Sequence, residues 1–427
     1  MKANKMILCL DWSNILFRSL FINQLYGNAS AYNNIEDCRS FIFKFATDVC
    51  SIINIFKPNK VVLLSDSRHA WRKDVLPGVD GYKSNREKDK NINWDNIFKC
   101  ADDLKNLFKQ SGCYIAEVDN GEADDMAALI KELLIEKYAN YNCIIVSADA
   151  DLRQLIHFNK DTHQYCAVYN TTIKSKTGKR YFYVNDDFIN WYNTDEQVDI
   201  FFNNVDENKK YIKDVLTQNS KIELAVENPN EVLLHKIFCG DDGDCVPSFY
   251  SWAHNGKFVR ITPAKERKIR EKLAINTVND LILSKDSLKP IFETICKKEI
   301  NDIDISERLL RQRTLVELNS NLFPEHIKDY KDTIDYMLQE EDAGFFINMK
   351  AADILKGTEY ENADKKKAIM TDVFKDINKY GLNSLCFIKY SINGFPFTFL
   401  NKISSSICCC NNAKSPPTPF ILIFHTA

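Results

Sequence analysis

Three short apolar segments of the sequence each end in acidic residues. They read KMILCLD, KVVLLSD and NCIIVSADAD, and the acids are Asp11, Asp66, Asp149 and Asp151. The runs are rich in Ile, Leu and Val, which is typical of buried strands. Between them lie helix-length segments with apolar residues at 3.6-residue spacing, such as residues 35–56 and 94–110. This alternation predicts an α/β fold with a parallel sheet flanked by helices.

The acids at the strand ends should meet in space. In an open parallel sheet, sites form beyond the carboxyl ends of the strands. A further acidic segment, EADD, opens the next predicted helix with Glu122, Asp124 and Asp125. Acids in a first helical turn also complement the helix dipole, so this segment alone has an ordinary explanation. Together with the strand ends, it predicts a cluster of seven carboxylates.

Such a cluster needs cations. Two like charges about 4 Å apart repel by about 4 kcal/mol at an effective dielectric constant of 20. Oxygen ligands suit Mg²⁺ or Mn²⁺, and two such ions about 4 Å apart are a common device for hydrolysing phosphodiesters. The acids therefore predict a site that binds two Mg²⁺ or Mn²⁺ ions.

A basic segment follows the second strand-end acid. It reads SRHAWRKDVLPGVDGYKSNREKDKN, with Trp71 and Tyr82 among the basic residues. A basic run is usually a solvated helix face, but this one would overhang the carboxylate cluster. Basic side chains there would attract phosphates, and aromatic rings would stack on unpaired bases. The segment predicts a nucleic-acid substrate, with contacts from Arg72, Lys73, Lys83, Arg86, Lys88 and Lys90.

From about residue 229 the sequence is mostly helical. A turn reading GDDGDCVPS is followed by a helix with Thr262 as its N-cap and Pro263 at its first position. That helix is strongly basic, and phosphate contacts from it would position a duplex without reading its sequence. Its predicted nucleic-acid-binding residues are Lys265, Lys268 and Arg270.

These motifs, in this order, resemble the 5′ nuclease (flap endonuclease) family. The order is Asp11, Asp66, YKSNR, EADD, SADAD and GDDGDCVPS, and the segments WRKD and RTLVELN are most similar to the ribonuclease H branch of T-even phages. The resemblance covers about residues 5–385, except for a poorly matched insertion at 186–228. It implies a PIN-like parallel sheet with flanking helices, plus a mostly helical domain containing a helix-three-turn-helix. The implied activity is a structure-specific 5′-to-3′ exonuclease and flap endonuclease that removes RNA primers or 5′ flaps during replication.

The resemblance also implies a role for each site residue. Lys83 and Arg86 match basic residues of an arch that hold the scissile phosphate, Tyr82 matches an aromatic that stacks on a nucleotide, and Arg72 matches another arch residue. One extra residue between WRKD and YKSNR, with Pro77 and Gly78 nearby, departs from the pattern. The matched metal-binding acids are Asp11, Asp66, Glu122, Asp124, Asp125, Asp149, Asp151, Asp241 and Asp244. The helix-three-turn-helix implies a K⁺ ion held by turn carbonyls.

Four segments are expected along the chain. The catalytic domain spans 1–185 and includes the basic arch at 68–92, and it is followed by the insertion. A helical domain spans 229–385, with the helix-three-turn-helix at about 232–274. Residues 386–427 lack periodicity and are expected to be disordered or non-homologous.

The expected partners are a flap, nicked or RNA-primed duplex and replication proteins such as a single-strand-binding protein or a sliding clamp. No apolar stretch approaches the roughly 18 residues of a membrane helix, and the N-terminus lacks a signal-peptide core. We therefore expect a cytoplasmic monomer without membrane contact, in the bacterial host if the origin is a phage. Most of the 14 cysteines stand singly in apolar patterns and no pair has zinc spacing, which favours reduced core thiols.

Two alternative functions remain. A PIN-type single-strand ribonuclease would share the sheet and four acids, but it would lack GDDGDCVPS and the capped basic helix. A non-catalytic protein that binds branched DNA would share the basic surfaces, but it would gain nothing from mutually repelling acids.

Overall fold

The computed structural model describes residues 4–24, 32, 35–86, 92–174, 176–194, 206–254, 257–296, 304–340, 346 and 348–361. Residues 1–361 form one structural unit. The tail predicted at 386–427 lies outside the described residues. No helix in the described part of the chain is long and apolar enough to cross a membrane.

A mostly parallel sheet lies at the centre of this unit, as the sequence predicts. Strands β1 (Lys5–Asp11), β2 (Lys60–Leu64), β3 (Tyr114–Ala116) and β4 (Tyr141–Val146) run in the order β3-β2-β1-β4, and each neighbouring pair is parallel. The sheet continues from β4 through β6 (Tyr165–Tyr169) and β7 (Arg180–Val184) to β8 (Ile222–Val226), while β5 (His157–Phe158) pairs with β6. Only the β5–β6 and β6–β7 pairs are antiparallel within this sheet. The carboxyl ends of β1, β2 and β4 therefore share one edge.

Helices cover both faces of the sheet, which explains the continuous apolar runs. They are α1 (Trp12–Gln24), α2 (Ile35–Phe56), α4 (Trp94–Gln110) and α5 (Ala123–Lys137), with a single-turn α3 (Arg72–Val75) in the basic segment. Alternate residues of β1 point to opposite faces: Leu8 and Leu10 pack with α1, α2 and α4, whereas Ile7 and Cys9 pack with α5.

The segment predicted as an insertion is part of the sheet layer. It contributes α6 (Asp186–Asn193), α7 (Glu207–Gln218) and β8, which pairs in parallel with β7. Ile212 and Val215 of α7 are buried in the same core as the apolar face of α2. Its described residues therefore cover the sheet and do not loop out into solvent.

The second half of the unit is mostly helical, as predicted. A separate core forms around Phe238, Phe249 and Phe292. Beside it lies a hairpin of β9 (Ser251–His254) and β10 (Lys257–Arg260), and 3-10 turns occur at Asp151–Leu155 and Ser320–Leu322. The helices are α8 (Pro229–Cys239), α9 (Pro263–Leu273), α10 (Val278–Leu283), α11 (Lys285–Cys296), α12 (Ile305–Val316), α13 (Glu325–Gln339) and α14 (Ala351–Ile354).

Candidate active site

Asp11 stands at the carboxyl end of β1, next to the end of β4. Ser147, which directly follows β4, donates a hydrogen bond of 2.7 Å to Asp11 Oδ2. The Asn14 backbone N–H donates one of 3.0 Å to Asp11 Oδ1, so the carboxylate also accepts from the first turn of α1. Both Ser147 and the buried Asp11 are therefore fixed in place by the strand pairing and the helix start.

Four of the predicted acids share this edge of the sheet. Burial, and then the charge of Asp66, raises the pKa of Asp11 to about 7, and Asp149 adds to the effect. Burial and the charge of Asp149 raise the pKa of Asp124 well above its usual value, and Asp11 contributes to that shift as well. Asp66 accepts a hydrogen bond of 2.8 Å from the Ala123 N–H, which ties the end of β2 to the start of α5. The structure thus brings together carboxylates that repel one another.

A second group of acids lies beside the first. The Asp151 N–H donates to Asp149 Oδ1 at 2.9 Å, and one carboxylate oxygen each from Asp151, Asp241 and Asp244 lie within 4.8 Å of one another. The same residues and Asp149 line one cleft. Because Asp241 and Asp244 lie after α8, the two halves of the chain both contribute to this cleft.

The oxygen ligands and the excess negative charge fit divalent cations. Carboxylate oxygens are the ligands that Mg²⁺ and Mn²⁺ prefer. Asp11 is buried and Asp124 is half-buried, and the neighbouring carboxylates help to raise the pKa of each. The acidic clusters can therefore hold metal ions.

One basic residue that the sequence analysis did not single out lies within the second group. Lys236 of α8 contacts both Asp151 Oδ1 and Asp241 Oδ2 through its Nζ atom. It precedes Asp241 by five residues, but no local pattern in the sequence points it at Asp151. Only the packing of α8 against the 3-10 turn at Asp151–Leu155 brings these groups together.

Asp125 and Arg72 do not lie where the resemblance implies. Arg72 Nη2 is 2.8 Å from Asp125 Oδ1, and Trp71 Nε1 donates to Asp125 Oδ2 at 2.9 Å. Asp125 is 0% exposed and Arg72 is 2% exposed. Both oxygens of Asp125 are engaged by protein donors, so its assignment as a metal ligand is corrected. The predicted contact between Arg72 and the substrate is also corrected, because a guanidinium buried in an ion pair has no surface for a substrate phosphate.

Glu122 joins the basic segment to α5. Its Oε2 atom is 2.7 Å from Arg72 Nη1, and its Oε1 atom is 2.5 Å from Lys83 Nζ. Burial raises the pKa of Glu122, but Arg72 and Lys83 outweigh it and hold the pKa at about 2. Each oxygen of Glu122 is thus paired with a cation, and the carboxylate bridges two basic residues.

Lys83 and Arg86 lie beside the acids. Arg86 Nη2 is 2.6 Å from Asp244 Oδ1, and Lys83 Nζ is 3.8 Å from Asp244 Oδ2. Lys83 has a φ of 56°, and its N–H donates to the Asp244 carbonyl at 2.8 Å. The side chain of Arg86 is 58% exposed, so it remains open to a ligand.

Tyr82 is buried, which corrects its predicted stacking role. It is 6% exposed and packs in the core around Phe238. Its hydroxyl lies 3.3 Å from both Glu122 Oε2 and Asp244 Oδ2. The preceding Gly81 is required here, because a Cβ atom would lie 2.5 Å from the Leu76 carbonyl oxygen. The ring therefore anchors the turn that positions Lys83.

The remaining predicted basic residues are distributed over two surfaces. Lys73 and Lys268 are exposed, and Lys265 is partly exposed on α9. Arg270 is only partly exposed, since it donates to the Ile275 carbonyl at 3.2 Å and contacts Glu266. The predicted residues Lys88 and Lys90 lie outside the described residues.

Residues 6–185 match the family model of the 5′-3′ exonuclease, N-terminal resolvase-like domain. These residues therefore carry a domain of the 5′-3′ exonuclease type. The 5′ nuclease domain is 26% identical over 162 residues to DNA polymerase I of Lactococcus lactis subsp. cremoris (strain MG1363). That match covers 37% of this chain and 17% of the polymerase, so the chain spans less than a fifth of that relative.

Two solved bacteriophage T5 structures are similar to this chain. One is a flap endonuclease in a pseudo-enzyme–product complex with DNA and metal ions, at 16% identity and a TM-score of 0.48, covering 79% of this chain and 100% of that one. The other is a 5′-exonuclease with bound divalent zinc ions, at 16% identity and a TM-score of 0.47, covering 78% of this chain and 100% of that one.

Proposed function

We propose that the chain is a divalent-metal-dependent, structure-specific 5′-to-3′ exonuclease and flap endonuclease. The observation that carries this proposal is the convergence of Asp11, Asp66, Asp124 and Asp149 at one sheet edge, where burial and the neighbouring carboxylates raise the pKa values of Asp11 and Asp124. Such repulsion is costly in a protein that only binds nucleic acid. The family membership of residues 6–185 supports a nuclease activity.

Two Mg²⁺ or Mn²⁺ ions would be held by the two groups of acids. Asp11, Asp66, Asp124 and Asp149 would hold the first, and the group of Asp151, Asp241 and Asp244 would hold the second. Bound divalent ions would lower the pKa of an attacking water and would stabilise the negative charge that develops on the phosphate.

The protein's own cations would position the scissile phosphate. Arg86 is exposed and pairs with Asp244, so a phosphate entering the cleft can take that guanidinium as a partner. Lys83 is held at the cleft by Glu122 and would add positive charge where the transition state becomes more negative. Burial of Tyr82 and Arg72 keeps this part of the basic segment rigid around the two residues.

The second half of the chain would hold the duplex. The turn between α8 and α9 contains Gly240 at a φ of 76°, and its carbonyls would hold the K⁺ ion that the helix-three-turn-helix resemblance implies. Lys265 and Lys268 on α9 would contact the duplex backbone. In this proposal a monomer acts on 5′-flap, nicked or RNA-primed DNA in the cytoplasm, together with replication proteins such as a sliding clamp or a single-strand-binding protein.

Cleavage of defined substrates tests this function. We expect the chain to cut 5′-labelled flap, nicked and RNA-primed duplexes with Mg²⁺, and the product lengths to separate exonucleolytic from flap cutting. Joint substitution Asp149→Ala and Asp151→Ala should reduce cleavage by at least about 100-fold, since loss of metal-borne charge stabilisation costs several kcal/mol. Duplex binding should persist.

Asp161→Ala is the matched control. Asp161 is an exposed acid in the turn before β6, at the opposite edge of the sheet from the carboxyl ends of β1 and β4. Its removal should leave cleavage unchanged. Cleavage that survives the joint substitution at wild-type rate would contradict the proposal, whereas cutting confined to unpaired RNA would favour a PIN-type ribonuclease.

A further inference from the structure

Helices α8 and α9 bring three different metal-ligand types together, outside the acid cluster. His235 Nδ1 lies 2.6 Å from Glu266 Oε2, and Cys239 Sγ lies 3.5 Å from the same oxygen. The three ligand atoms all lie within 4.8 Å of one another. Nothing in the proposed nuclease chemistry uses this imidazole, thiol and carboxylate.

Local structure places these groups on one side of the helix pair. His235 and Cys239 are four residues apart on α8, so they occupy the same face of that helix. Glu266 lies in the first turn of α9 and points back at both. The other oxygen of Glu266 is 3.4 Å from Arg270 Nη1, which leaves Oε2 directed at His235 and Cys239. The carboxylate is therefore already oriented towards the two other ligands.

Burial differs across the three residues in a way that suits an ion with one open position. Cys239 and Glu266 are 8% and 4% exposed, whereas the side chain of His235 is 47% exposed. His235 and Cys239 also line the solvent-open cleft that the second group of acids lines. Protein donors would coordinate the ion on its buried side, and a water molecule would be its remaining ligand on the solvent side.

We propose that His235, Cys239 and Glu266 bind a thiophilic divalent ion of the Zn²⁺ type. One imidazole nitrogen, one thiolate and one carboxylate oxygen are the donor atoms that Zn²⁺ takes in tetrahedral sites, with water as the fourth ligand. On binding, the ion displaces the thiol proton of Cys239 and any second proton on His235, and both are released to solvent. Mg²⁺ prefers all-oxygen ligands and is expected to bind at the acid cluster instead.

Occupancy of this site would join α8 to α9 across the segment that carries Asp241 and Asp244. The two helices flank that segment directly, since α8 ends at Cys239 and α9 begins at Pro263. A ligand that binds the folded state but not the unfolded state raises the midpoint of thermal unfolding. The ion would thus stabilise the helix pair and the turn between its members, whether or not the chain cleaves nucleic acid.

Co²⁺ titration of the full-length, reduced and metal-free chain tests the site. A Co²⁺ ion bound to a thiolate gives a near-ultraviolet charge-transfer band, which carboxylate ligands do not give. We expect one equivalent of Co²⁺ to produce this band, one equivalent of Zn²⁺ to abolish it, and Zn²⁺ to raise the unfolding midpoint by several degrees. Cys239→Ser should remove the band, and His235→Ala should weaken Co²⁺ binding by at least about tenfold.

Two control variants exclude the other thiols. Cys245→Ser changes a partly exposed cysteine close by, and the triple variant Cys408→Ser, Cys409→Ser and Cys410→Ser removes the three consecutive cysteines of the tail. Both should keep the band and the Zn²⁺-dependent shift. The unfolding midpoint of Cys239→Ser without metal reports whether that variant folds. Absence of the band in the folded wild-type chain, or its persistence in Cys239→Ser, would overturn the proposal.

Discussion

At the scale of single residues, the charge on the buried Asp11 contributes to the pH dependence of the stability of the metal-free protein. Its pKa is about 7 in the folded chain, against an ordinary value of 3.8. The folded state therefore binds more protons than the unfolded state between these values, and stability falls as pH rises from about 4 to 7. A difference of about three pH units corresponds to roughly 4 kcal/mol.

We expect the metal-free chain to be less stable to urea at pH 8 than at pH 5, and Mg²⁺ to restore stability at pH 8. Asp11→Asn keeps the size of the side chain but removes the charge, so it should flatten much of this pH dependence. Unfolding curves in a chelator at the two pH values provide the measurement. Identical pH dependence in wild type and variant would show that Asp11 is neutralised by protein groups.

Lys236 leads to a second prediction at this scale. Its Nζ atom contacts Asp151 and Asp241, so it occupies the position where the second ion would bind. Lys236→Met should lower the Mn²⁺ concentration for half-saturation by about tenfold, equivalent to roughly 1.4 kcal/mol, because it removes a competing charge. Calorimetric titration measures this change directly.

Lys331→Met is the control for that substitution. Lys331 also pairs with two acids, Glu132 and Glu136, but it does so on α13. We expect Mn²⁺ binding to be unchanged by its loss. If Lys236→Met instead requires more Mn²⁺, the lysine orients Asp151 and Asp241 for the ion and does not compete with it.

The sequence predicts where the acids converge, but it does not predict which basic residues pair with them. Parallel strands place Asp11, Asp66 and Asp149 at one edge whatever the loops do, so strand patterns were sufficient. The burial of Arg72 against Asp125 depends on how the basic segment folds onto α5, and no periodicity encodes that contact. Resemblance alone therefore placed Arg72 in contact with substrate, while the tertiary packing places it in an internal ion pair.

At the scale of elements, α9 is expected to set the affinity for duplex. Lys268 is exposed on this helix. A lysine that neutralises one phosphate contributes about one unit to the slope of log affinity against log salt concentration. Lys268→Ala should weaken binding of all duplex sequences alike and reduce that slope by about one.

Fluorescence anisotropy in a chelator, over a series of salt concentrations, measures the slope without cleavage. Lys109→Ala is a suitable control, since Lys109 is exposed at the C-terminal end of α4, beside the opposite edge of the sheet. Equal slopes for Lys268→Ala and the wild type would exclude this face of α9 from the duplex interface.

Helices were easier to anticipate than the far half of the sheet. The segments 35–56 and 94–110 have clear 3.6-residue periodicity, and the structure has helices over the same residues. The capped start of α9 at Pro263 was equally readable. Strand β8, in contrast, has one buried residue in five and an acidic flank, so its pattern resembles a surface segment. Only its pairing with β7 shows that it belongs to the sheet.

At the scale of the whole molecule, the last described helices return to the sheet layer. Ile327, Ile334 and Leu338 of α13 are buried against α5. Asn54 and Met349 exchange two hydrogen bonds, of 2.8 and 2.9 Å. The sheet domain predicted at 1–185 therefore lacks part of its own cover when it is separated from the rest of the chain.

Truncation provides the test of that dependence. Burying one large apolar side chain contributes about 2 kcal/mol, so loss of the α13 face removes several kcal/mol from a total that is typically 5–15 kcal/mol. We expect a fragment of residues 1–185 to bind a hydrophobic dye and to unfold without a cooperative transition.

A chain ending at residue 361 should unfold cooperatively and retain Mg²⁺-dependent cleavage, because it keeps α13, both acid groups and the contact of 2.9 Å between Tyr360 and Asp103. A cooperative transition in the short fragment, at the midpoint of the longer one, would show that the sheet and its first five helices form an independent folding unit and that α13 only rests on its surface.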